Sequence, residues 1–409
     1  MNPKIYLLAL ITFATGMDEN LAGGIVPFIA EDLAVSISTA GQLTTVFSLT
    51  YALAAPLLLF STAHYPRLPL LRAALMTFCL GNLFSALSPN FAVLFSMRIL
   101  SAASCALIVV LVTTIATEMV EARFKGRAIG IIFMGISGSL VLGIPIGLLF
   151  CNWLGWRAPF AFIALLALTL CILAPKMLPA VTGGGVRIPL ARYSEHIKNP
   201  KLMSAQLVSI LMIGGHFVLF AFLAPYLQSE IGASKQELTV YYFLFGAAAI
   251  SGGYLGGWLS DKLGTVRALI GVPIVFMLFL GAIPFTLNNI WLFVPCMMFW
   301  GGLSWTISPI VQNYLIHSDP ENAGVSIGVN NSAMHLGVAL GALIGGLVVK
   351  FSSVSWTPWI GVLVVLLSVL CAIYSALQPP VKKPSDNSDV LIISDQEQQS
   401  STVKEALLD

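Results

Sequence analysis

The chain has 409 residues, of which 57% are hydrophobic and only 9% are charged. A soluble domain carries roughly 25% charged residues, so this composition excludes an ordinary water-soluble fold and indicates a protein that lies in lipid. The net charge of +2 gives no electrostatic reason to expect a nucleic-acid partner.

Apolar segments long enough to cross a bilayer follow one another along the chain. About 20 residues cross the hydrocarbon core as a helix, and in lipid the backbone must satisfy its own hydrogen bonds. We therefore predict an all-α integral membrane fold with twelve transmembrane helices, the first of which is not a cleaved signal. The predicted spans are residues 5–29, 41–61, 70–88, 91–117, 126–151, 157–177, 202–228, 239–259, 266–286, 290–314, 323–349 and 355–377.

Two polar segments divide the chain into predicted domains. Residues 178–201 contain a run of three glycines and several cations, and they predict a cytoplasmic linker. Residues 378–409 are rich in Ser, Gln and acids, which is typical of a disordered tail. The spans before the linker form a predicted N-terminal six-helix bundle, residues 1–177, and those after it a predicted C-terminal six-helix bundle, residues 202–377.

Lysine and arginine residues predict the orientation of these spans. If the N-terminus lies in the cytoplasm, sixteen of these residues fall on the cytoplasmic side and only Arg157, Lys235 and Lys350 fall outside. Cytoplasmic loops carry an excess of such cations. We therefore expect a multi-pass protein with both termini in the cytoplasm.

Corresponding residues recur in the two predicted halves. Asp18 in the first span matches His216 in the seventh at an offset of 198 residues. Gly143 in the fifth span matches Gly341 in the eleventh at the same offset. Two halves in parallel orientation are a known transporter architecture, so the offset favours a duplicated carrier.

Ionisable residues inside the spans are candidates for proton coupling. Asp18 and Glu19 lie in the first span, where a carboxylate enclosed by lipid holds a proton more readily than in water. Neighbouring helical residues point about 100° apart, so we expect one of them, Glu19 rather than Asp18, to face the centre. Arg98 in the fourth span lies at nearly the depth of Glu19, which predicts a pair that responds to protonation. The alternatives are a helix end at the interface and a purely structural ion pair.

Other polar side chains within the spans are candidates for substrate binding. They are His216, His335, Asn330, Asn331 and Tyr51. A neutral imidazole both donates and accepts hydrogen bonds and so can contact a solute, whereas a buried contact between helices is the alternative at each position. These residues do not form a ligand cluster, so we expect neither a metal ion nor a bound cofactor.

Two motifs are candidates for gating. The fifth span contains Gly143, Pro145 and Gly147, which indicate either close helix packing or a segment that bends and seals, because proline removes a backbone hydrogen bond. The connection between spans eight and nine contains Gly257, Asp261, Lys262 and Arg267. There a glycine permits close helix approach, an acid can pair across helices, and the alternative is an ordinary cytoplasmic loop.

These motifs resemble those of the major facilitator superfamily over residues 1–377. The pattern Gly257-x3-Asp261-Lys262-x-Gly264-x2-Arg267 resembles the inter-helix loop motif of that family, whereas its first-half copy at residues 61–67 lacks the Gly and the Asp. The pattern Gly143-Ile-Pro145-Ile-Gly147 resembles the fifth-span motif of the proton-coupled antiporters, which is associated with export. Arg98-Ile-Leu-Ser-Ala-Ala resembles the fourth-span motif whose arginine is linked to proton transfer.

Within the twelve-span drug:proton antiporter branch, the chain is similar to bacterial purine base efflux pumps and sugar-efflux-like proteins. The similar stretches are residues 38–43, 127–135, 215–225 and 242–246. This resemblance implies a monomer in the bacterial plasma membrane, in contact with lipid, that carries a small molecule and protons. It also implies that spans 1, 4, 7 and 10 line the cavity.

The sequence thus predicts a proton-coupled exporter of purine bases or nucleosides, drugs or sugars that works by alternating access. An uptake carrier of the same fold, a channel, a non-transporting membrane sensor and a membrane enzyme are the alternatives. We expect no enzymatic activity, because the loops are too short to hold a polar active site. The tail is too short to be a convincing output domain for a sensor.

Overall fold

The computed structural model describes residues 4–62, 64–121, 125–178 and 190–381, and every regular element in these ranges is helical. The helices are α1 (Lys4–Asp32), α2 (Ile37–Ser61), α3 (Arg67–Ala86), α4 (Phe91–Glu118), α5 (Lys125–Gly138), α6 (Ile144–Leu154), α7 (Arg157–Met177), α8 (Leu190–Lys198), α9 (Pro200–Phe220), α10 (Leu223–Ile231), α11 (Lys235–Leu263), α12 (Thr265–Thr286), α13 (Ile290–Ser304), α14 (Ile307–Ser318), α15 (Ala323–Phe351) and α16 (Thr357–Leu377). A π-helical segment at Ser139–Gly143 joins α5 to α6, and a 3₁₀ turn at Val354–Trp356 precedes α16.

Eleven helical segments of the described ranges are long and apolar enough to cross a membrane. Helix α1 has 29 residues and is not one of them, since Asp18, Glu19 and Asn20 lower the hydropathy of its middle. With α1 included, the segments follow the order of the predicted spans. The predicted all-α membrane fold is therefore confirmed. Within the predicted linker the structure contains α8, while residues 179–189 and most of the predicted tail lie outside the described residues.

Three of the predicted spans are interrupted rather than continuous. The interruptions lie at Ser139–Gly143 in span five, Ala221–Phe222 in span seven and Trp305–Thr306 in span ten. A proline clashes with the carbonyl group four residues before it and donates no hydrogen bond. In span five, Pro145 opposes the carbonyl group of Val141. In span seven, Pro225 opposes that of Ala221, and in span ten, Pro309 opposes that of Trp305. A proline thus lies shortly after each interruption, although prolines also lie inside uninterrupted helices, such as Pro27 in α1 and Pro273 in α12.

Hydrogen bonds between the first and second halves are confined to one part of the bundle. We call the end that holds Lys4 and Leu377 the termini end, and the opposite end, which holds Asp32, the distal end. Three hydrogen bonds join residues 4–178 to residues 190–381 within the described part of the chain, and all lie toward the distal end. Ser38 Oγ donates to the Gly346 carbonyl oxygen at 2.6 Å, and Tyr242 Oη donates to the Gly23 carbonyl oxygen at 3.4 Å. Asn152 Nδ2 donates to the Lys235 carbonyl oxygen at 3.5 Å.

Helices α9, α15 and α16 pack with their backbones in close contact. A Cβ atom on Gly341 of α15 would lie 2.1 Å from the carbonyl oxygen of Gly214. A Cβ atom on Gly215 of α9 would lie 2.6 Å from the carbonyl oxygen of Gly361 in α16. Membrane helices associate through such close packing of small residues, so glycine is required at these crossings.

We expect Gly341→Ala to lower the free energy of unfolding by about 1–3 kcal/mol, because the added methyl group forces two backbones apart. The matched control is Gly271→Ala in α12, where an added Cβ atom has no neighbour within 4 Å. Thermal unfolding of the purified proteins in detergent, followed by tryptophan fluorescence, measures both effects. Equal melting temperatures for the two variants would contradict the packing argument.

Candidate functional site

Two contacts between oppositely chargeable groups lie side by side near the middle of α1. Arg98 Nη1 of α4 donates to Asp18 Oδ1 at 2.5 Å, and Nη2 donates to the backbone carbonyl oxygen of Asp18 at 3.0 Å. Glu19 Oε1 lies 3.2 Å from Nδ1 of His335 in α15. The predicted pairing of Glu19 with Arg98 is therefore wrong. Successive helical residues point in different directions, and it is Asp18 that faces α4.

The Asp18–Arg98 pair is enclosed by the first half of the chain. Both side chains are 0% exposed, and the guanidinium carbon lies 4.3 Å from the centre of the Phe47 ring. The side chain of Asn82 in α3 also adjoins the Asp18 carboxylate. Two charges withdrawn from water offset each other's desolvation only while both are present. This pair therefore fastens α1 to α4 and is expected to keep its geometry.

The Glu19–His335 pair has a different environment. The Glu19 and His335 side chains are 21% and 18% exposed, so the pair is partly accessible, although His335 Nδ1 itself is buried. The Tyr51 ring of α2 stacks on the His335 imidazole, with 3.7 Å between ring centres and 23° between planes. The pair brings an acid of the first half to a base of the second half. Carboxylate and imidazole groups can gain or lose protons, so the attraction between them depends on their charge states.

The positions of Glu19 and His335 along their helices would have identified this pair from the sequence. Glu19 is 15 residues from the start of α1 and His335 is 12 residues from the start of α15, which places both about 20 Å along their helices. The depth comparison that paired Glu19 with Arg98 fits His335 equally well. Sequence analysis assigned His335 only to the substrate and missed its contact with the acid.

His216 lies apart from these residues, in an aromatic cluster of the second half. It is 1% exposed, and its ring centre lies 4.9 Å from that of Trp300, 5.0 Å from that of Phe220 and 5.8 Å from that of Phe245. The structure thus does not bring His216 to the Glu19–His335 pair. Its environment is the helix–helix contact that the sequence left as the alternative.

The surroundings of Asp18 and His216 correspond to each other. Three pairs of residues share the offset of 198, namely Asp18 and His216, Phe47 and Phe245, and Phe78 and Phe276. Arg98 lies over the Phe47 ring, and the His216 ring contacts Phe245 and Phe276. The first half therefore holds an ion pair where the second half holds stacked rings.

The two predicted asparagines also differ in environment. Asn330 is buried, and its Nδ2 donates to Gln206 Oε1 and to Ser209 Oγ, both at 2.9 Å. Asn331 is exposed. Neither is in a described contact with Glu19. Sequence analysis missed the polar partners of Asn330, since single Gln and Ser residues inside apolar spans give no periodic signal.

The fifth-span motif lies at the π-helical segment that joins α5 to α6. A Cβ atom on Gly143 would lie 3.2 Å from Met17 Cβ, and one on Gly147 would lie 2.2 Å from Leu21 Cδ1. Across the halves, a Cβ atom on Gly246 of α11 would lie 2.3 Å from the carbonyl oxygen of Leu140. The motif with Pro145 therefore distorts span five where it packs against both α1 and the second half.

The motif between spans eight and nine is open in this structure. The expectation that Gly257 permits close helix approach is wrong here, because an added Cβ atom has no neighbour within 4 Å. The close approach occurs at Gly256, where such an atom would lie 2.3 Å from a carbonyl oxygen just before α14. Asp261, Lys262 and Arg267 are exposed, and no described ion pair includes them.

The sequence model of a family described as Major Facilitator Superfamily matches residues 8–339 and 207–397 of the chain. The chain belongs to the major facilitator superfamily. A protein of Bacillus subtilis (strain 168) named "Uncharacterized MFS-type transporter YbcL" is 32% identical over 373 residues, which is 90% of this chain and 95% of that protein. The "Inner membrane transport protein YdhP" of Escherichia coli (strain K12) is 30% identical over 383 residues, covering 93% of this chain and 97% of that protein.

A "Chloramphenicol resistance protein" of Streptomyces lividans is 29% identical over 383 residues, covering 90% of this chain and 95% of that protein. Among solved structures, the fold is similar to that of a bacterial homolog of the human lysosomal transporter Spinster in an inward-facing and unoccupied conformation. The TM-score is 0.75 at 17% identity, with 92% of this chain and 97% of that chain covered. This major facilitator chain is therefore a bacterial membrane transporter of small molecules with efflux pumps among its relatives.

We expect Asp18→Asn to lower the free energy of unfolding by about 3–5 kcal/mol, because the Arg98 charge would remain buried without its partner. Glu19→Gln, at the accessible pair, is expected to cost less than about 1 kcal/mol. Thermal unfolding in detergent compares the two variants.

The double variant Asp18→Asn, Arg98→Gln removes both charges and serves as the matched control. It is expected to recover much of the lost stability, because no uncompensated charge is left. If Asp18→Asn unfolded at the same temperature as Glu19→Gln, the distinction between an enclosed and an accessible pair would be wrong.

Proposed function

We propose that this chain is a proton-driven exporter of small molecules, in which the solute and protons compete for Glu19. One observation carries the proposal. The 3.2 Å contact of Glu19 with His335 joins an acid of the first half to a base of the second half. A carrier that alternates between two states needs a contact of this kind, whose strength differs with bound ligand.

In the proposed cycle, the Glu19–His335 pair at the middle of the bundle and the hydrogen bonds beyond it toward the distal end hold the two halves together. A solute that enters from the termini end and hydrogen-bonds these side chains replaces their mutual attraction and lets the distal side open. A proton from the distal solution then binds Glu19 and displaces the solute. The protonated carrier reopens at the termini end, Glu19 releases its proton there, and the pair with His335 forms again.

The enclosed Asp18–Arg98 pair has a positioning role in this proposal. Because Arg98 fixes α1 to α4 beside Glu19, a displacement of Glu19 moves the first half as a body. We propose that this body is residues 1–177 and that its counterpart is residues 202–377, joined by the linker 178–201. Residues 378–409 form the proposed tail. The shared offset around Asp18 and His216 supports the two-bundle organisation.

The proposed orientation places both termini in the cytoplasm of a bacterial cell. The distribution of lysine and arginine supports it, and export then requires solute entry at the termini end. The chain is proposed to act as a monomer in contact with lipid. The solute classes are drugs, purine bases or nucleosides, and sugars. Chloramphenicol is the first probe, because relatives from Streptomyces lividans and Mycobacterium tuberculosis bear its name.

We expect Glu19→Gln to abolish export driven by a pH gradient while retaining part of the solute exchange without a gradient, because the amide cannot bind and release the proton. Purified protein in proteoliposomes is assayed with radiolabelled chloramphenicol, purine bases and sugars, with and without an imposed pH gradient. The matched control is Glu31→Gln, which alters an exposed acid of the same helix. Uphill transport by Glu19→Gln equal to that of Glu31→Gln would overturn the coupling role.

Growth of an overexpressing strain on chloramphenicol, toxic purine analogues and toxic sugar analogues separates the solute classes. We expect selective resistance to one class, which is lost in His335→Ala because that variant removes the partner of Glu19 and the ring that stacks on Tyr51. Resistance that persists in His335→Ala at unchanged protein levels would contradict a role for the pair in transport.

A further inference from the structure

A second histidine that connects separate elements lies outside the proposed transport site. His196 belongs to α8, the nine-residue helix between the two halves, and is only 2% exposed. Its neighbours Glu195 and Ile197 on the same helix are exposed. Helix α8 thus lies on the termini end with one ring inserted between α9 and α15.

The inserted ring has a polar partner at each nitrogen. Gln206 Nε2 of α9 lies 3.0 Å from His196 Nε2, and Ser326 Oγ of α15 lies 3.3 Å from His196 Nδ1. Gln206 Nε2 also donates to the backbone carbonyl oxygen of Ser326 at 3.1 Å. Gln206 Oε1 accepts from Asn330 Nδ2 at 2.9 Å. A continuous buried network therefore joins α8, α9 and α15.

These contacts determine the protonation state of His196. A backbone carbonyl oxygen can only accept a hydrogen bond, so the Gln206 atom facing Ser326 must be the amide nitrogen. The same nitrogen faces His196 Nε2 and has only donors to offer. Nε2 must therefore accept, which leaves the proton on Nδ1, where it points at Ser326 Oγ. In the imidazolium form, Nε2 of His196 would also carry a proton. Two donors, Nε2 and the Gln206 amide nitrogen, would then face each other in a site closed to water.

We propose that His196 makes α8 a proton-sensitive latch, which is docked on α9 and α15 when the imidazole is neutral and released when it is protonated. The released helix exposes the ring to water, where both nitrogens find acceptors. The buried donors and acceptors of Gln206 and Ser326 then require water in place of the ring. Protonation therefore alters the termini end of the second half.

Within the described part of the chain, the elements around His196 carry few charged groups. Helix α8 itself carries Arg192, which lies 3.9 Å from Glu195, and Lys198. Helix α9 contributes Lys201 near its start, and the segment before α15 contributes Asp319 and Glu321. Of these, the Asp319 carboxylate favours the imidazolium, while burial, the larger effect, lowers the pKa of His196 below its usual value of 6.5.

The sign of the pH dependence follows from this lowered pKa. The docked form binds a proton less readily than the released form, so docking is fully favoured above the ordinary histidine pKa of about 6.5 and weakens as pH falls below it. If the docked ring stays neutral at pH 5.5, the docking equilibrium falls about tenfold between pH 7.5 and pH 5.5.

This latch deepens the proposed function, and the side of the membrane that it senses depends on the orientation proposed there. Each exported solute would bring a proton to the termini side, where α8 lies. An exporter with this latch would respond to the acid that its own cycle delivers. The network reaches Asn330, to which Gln312 of α14 extends its amide at 3.5 Å, so the response would spread to three spans of the second half.

Hydrogen exchange of the purified full-length protein in detergent tests the latch without any transport assay. We expect the protection factors of amides in residues 192–198 to fall up to about tenfold from pH 7.5 to pH 5.5, with little change in the middle of α9. His196→Gln should stay protected at both pH values, because its amide can accept from Gln206 and donate to Ser326 but does not titrate. The matched control His317→Gln alters an exposed histidine at the same end and should respond like the unmodified protein.

Equal protection of the unmodified α8 at the two pH values would overturn the latch, and so would an equal pH response in His196→Gln and His317→Gln. Neither outcome bears on Glu19, so the latch and the export mechanism fail independently. If both the unmodified protein and His317→Gln transport less when the termini side is acid, His196→Gln should resist that loss.

Discussion

The buried contact between Asp18 and Arg98 is the constraint on which the rest of the site depends. Hydrocarbon tolerates an ionised side chain only when its charge and its hydrogen bonds are compensated. Arg98 meets this demand with one bond to the Asp18 carboxylate and one to the backbone of α1, so it fixes both the rotation and the depth of that helix. Once the direction of Asp18 is fixed, the direction of Glu19 follows, and an acid is presented to the second half of the protein.

Two adjacent acids thereby acquire unlike properties from geometry alone. Asp18 is enclosed within its own half, and its partner is an arginine, which stays charged at all working pH values. Glu19 is partly exposed, and its partner is a histidine of the opposite half, which carries a charge only when it is protonated. The second half has no counterpart to this arrangement, because stacked rings surround His216. Among the described residues, the corresponding positions of the two halves therefore differ, because the enclosed ion pair lies in the first half and the stacked rings lie in the second.

Sequence alone predicted the fold because exposing a polar backbone to lipid is so costly that few folds can cross a membrane. The long apolar segments of the chain indicate that this one is helical. It also located the ionisable residues, since each is conspicuous in a chain so poor in charge. It did not pair them correctly, because depth along a helix is readable from residue numbers while the facing direction depends on how neighbouring helices pack. Glu19, Arg98 and His335 lie at similar depths, and only the packing of α1 against α4 separates them. The same limit explains why the sequence assigned the close helix contact to Gly257 and not to the adjacent Gly256, which makes it. It also explains why the network of Gln206 and Asn330 was missed, since these residues form no periodic pattern in the sequence.

The interrupted helices have a consequence for how such a molecule moves. Spans five, seven and ten are each two helical segments joined shortly before a proline, which supplies no amide proton to the carbonyl group four residues earlier, so the joint bends more easily than a continuous helix does. The segment on one side of a joint can swing while the other stays in place. In the proposed cycle, three such joints spread over both halves would let one entrance shut before the opposite one opens. Such a cycle would pass through an occluded intermediate, in which the cargo is sealed from both solutions at once and leakage is prevented.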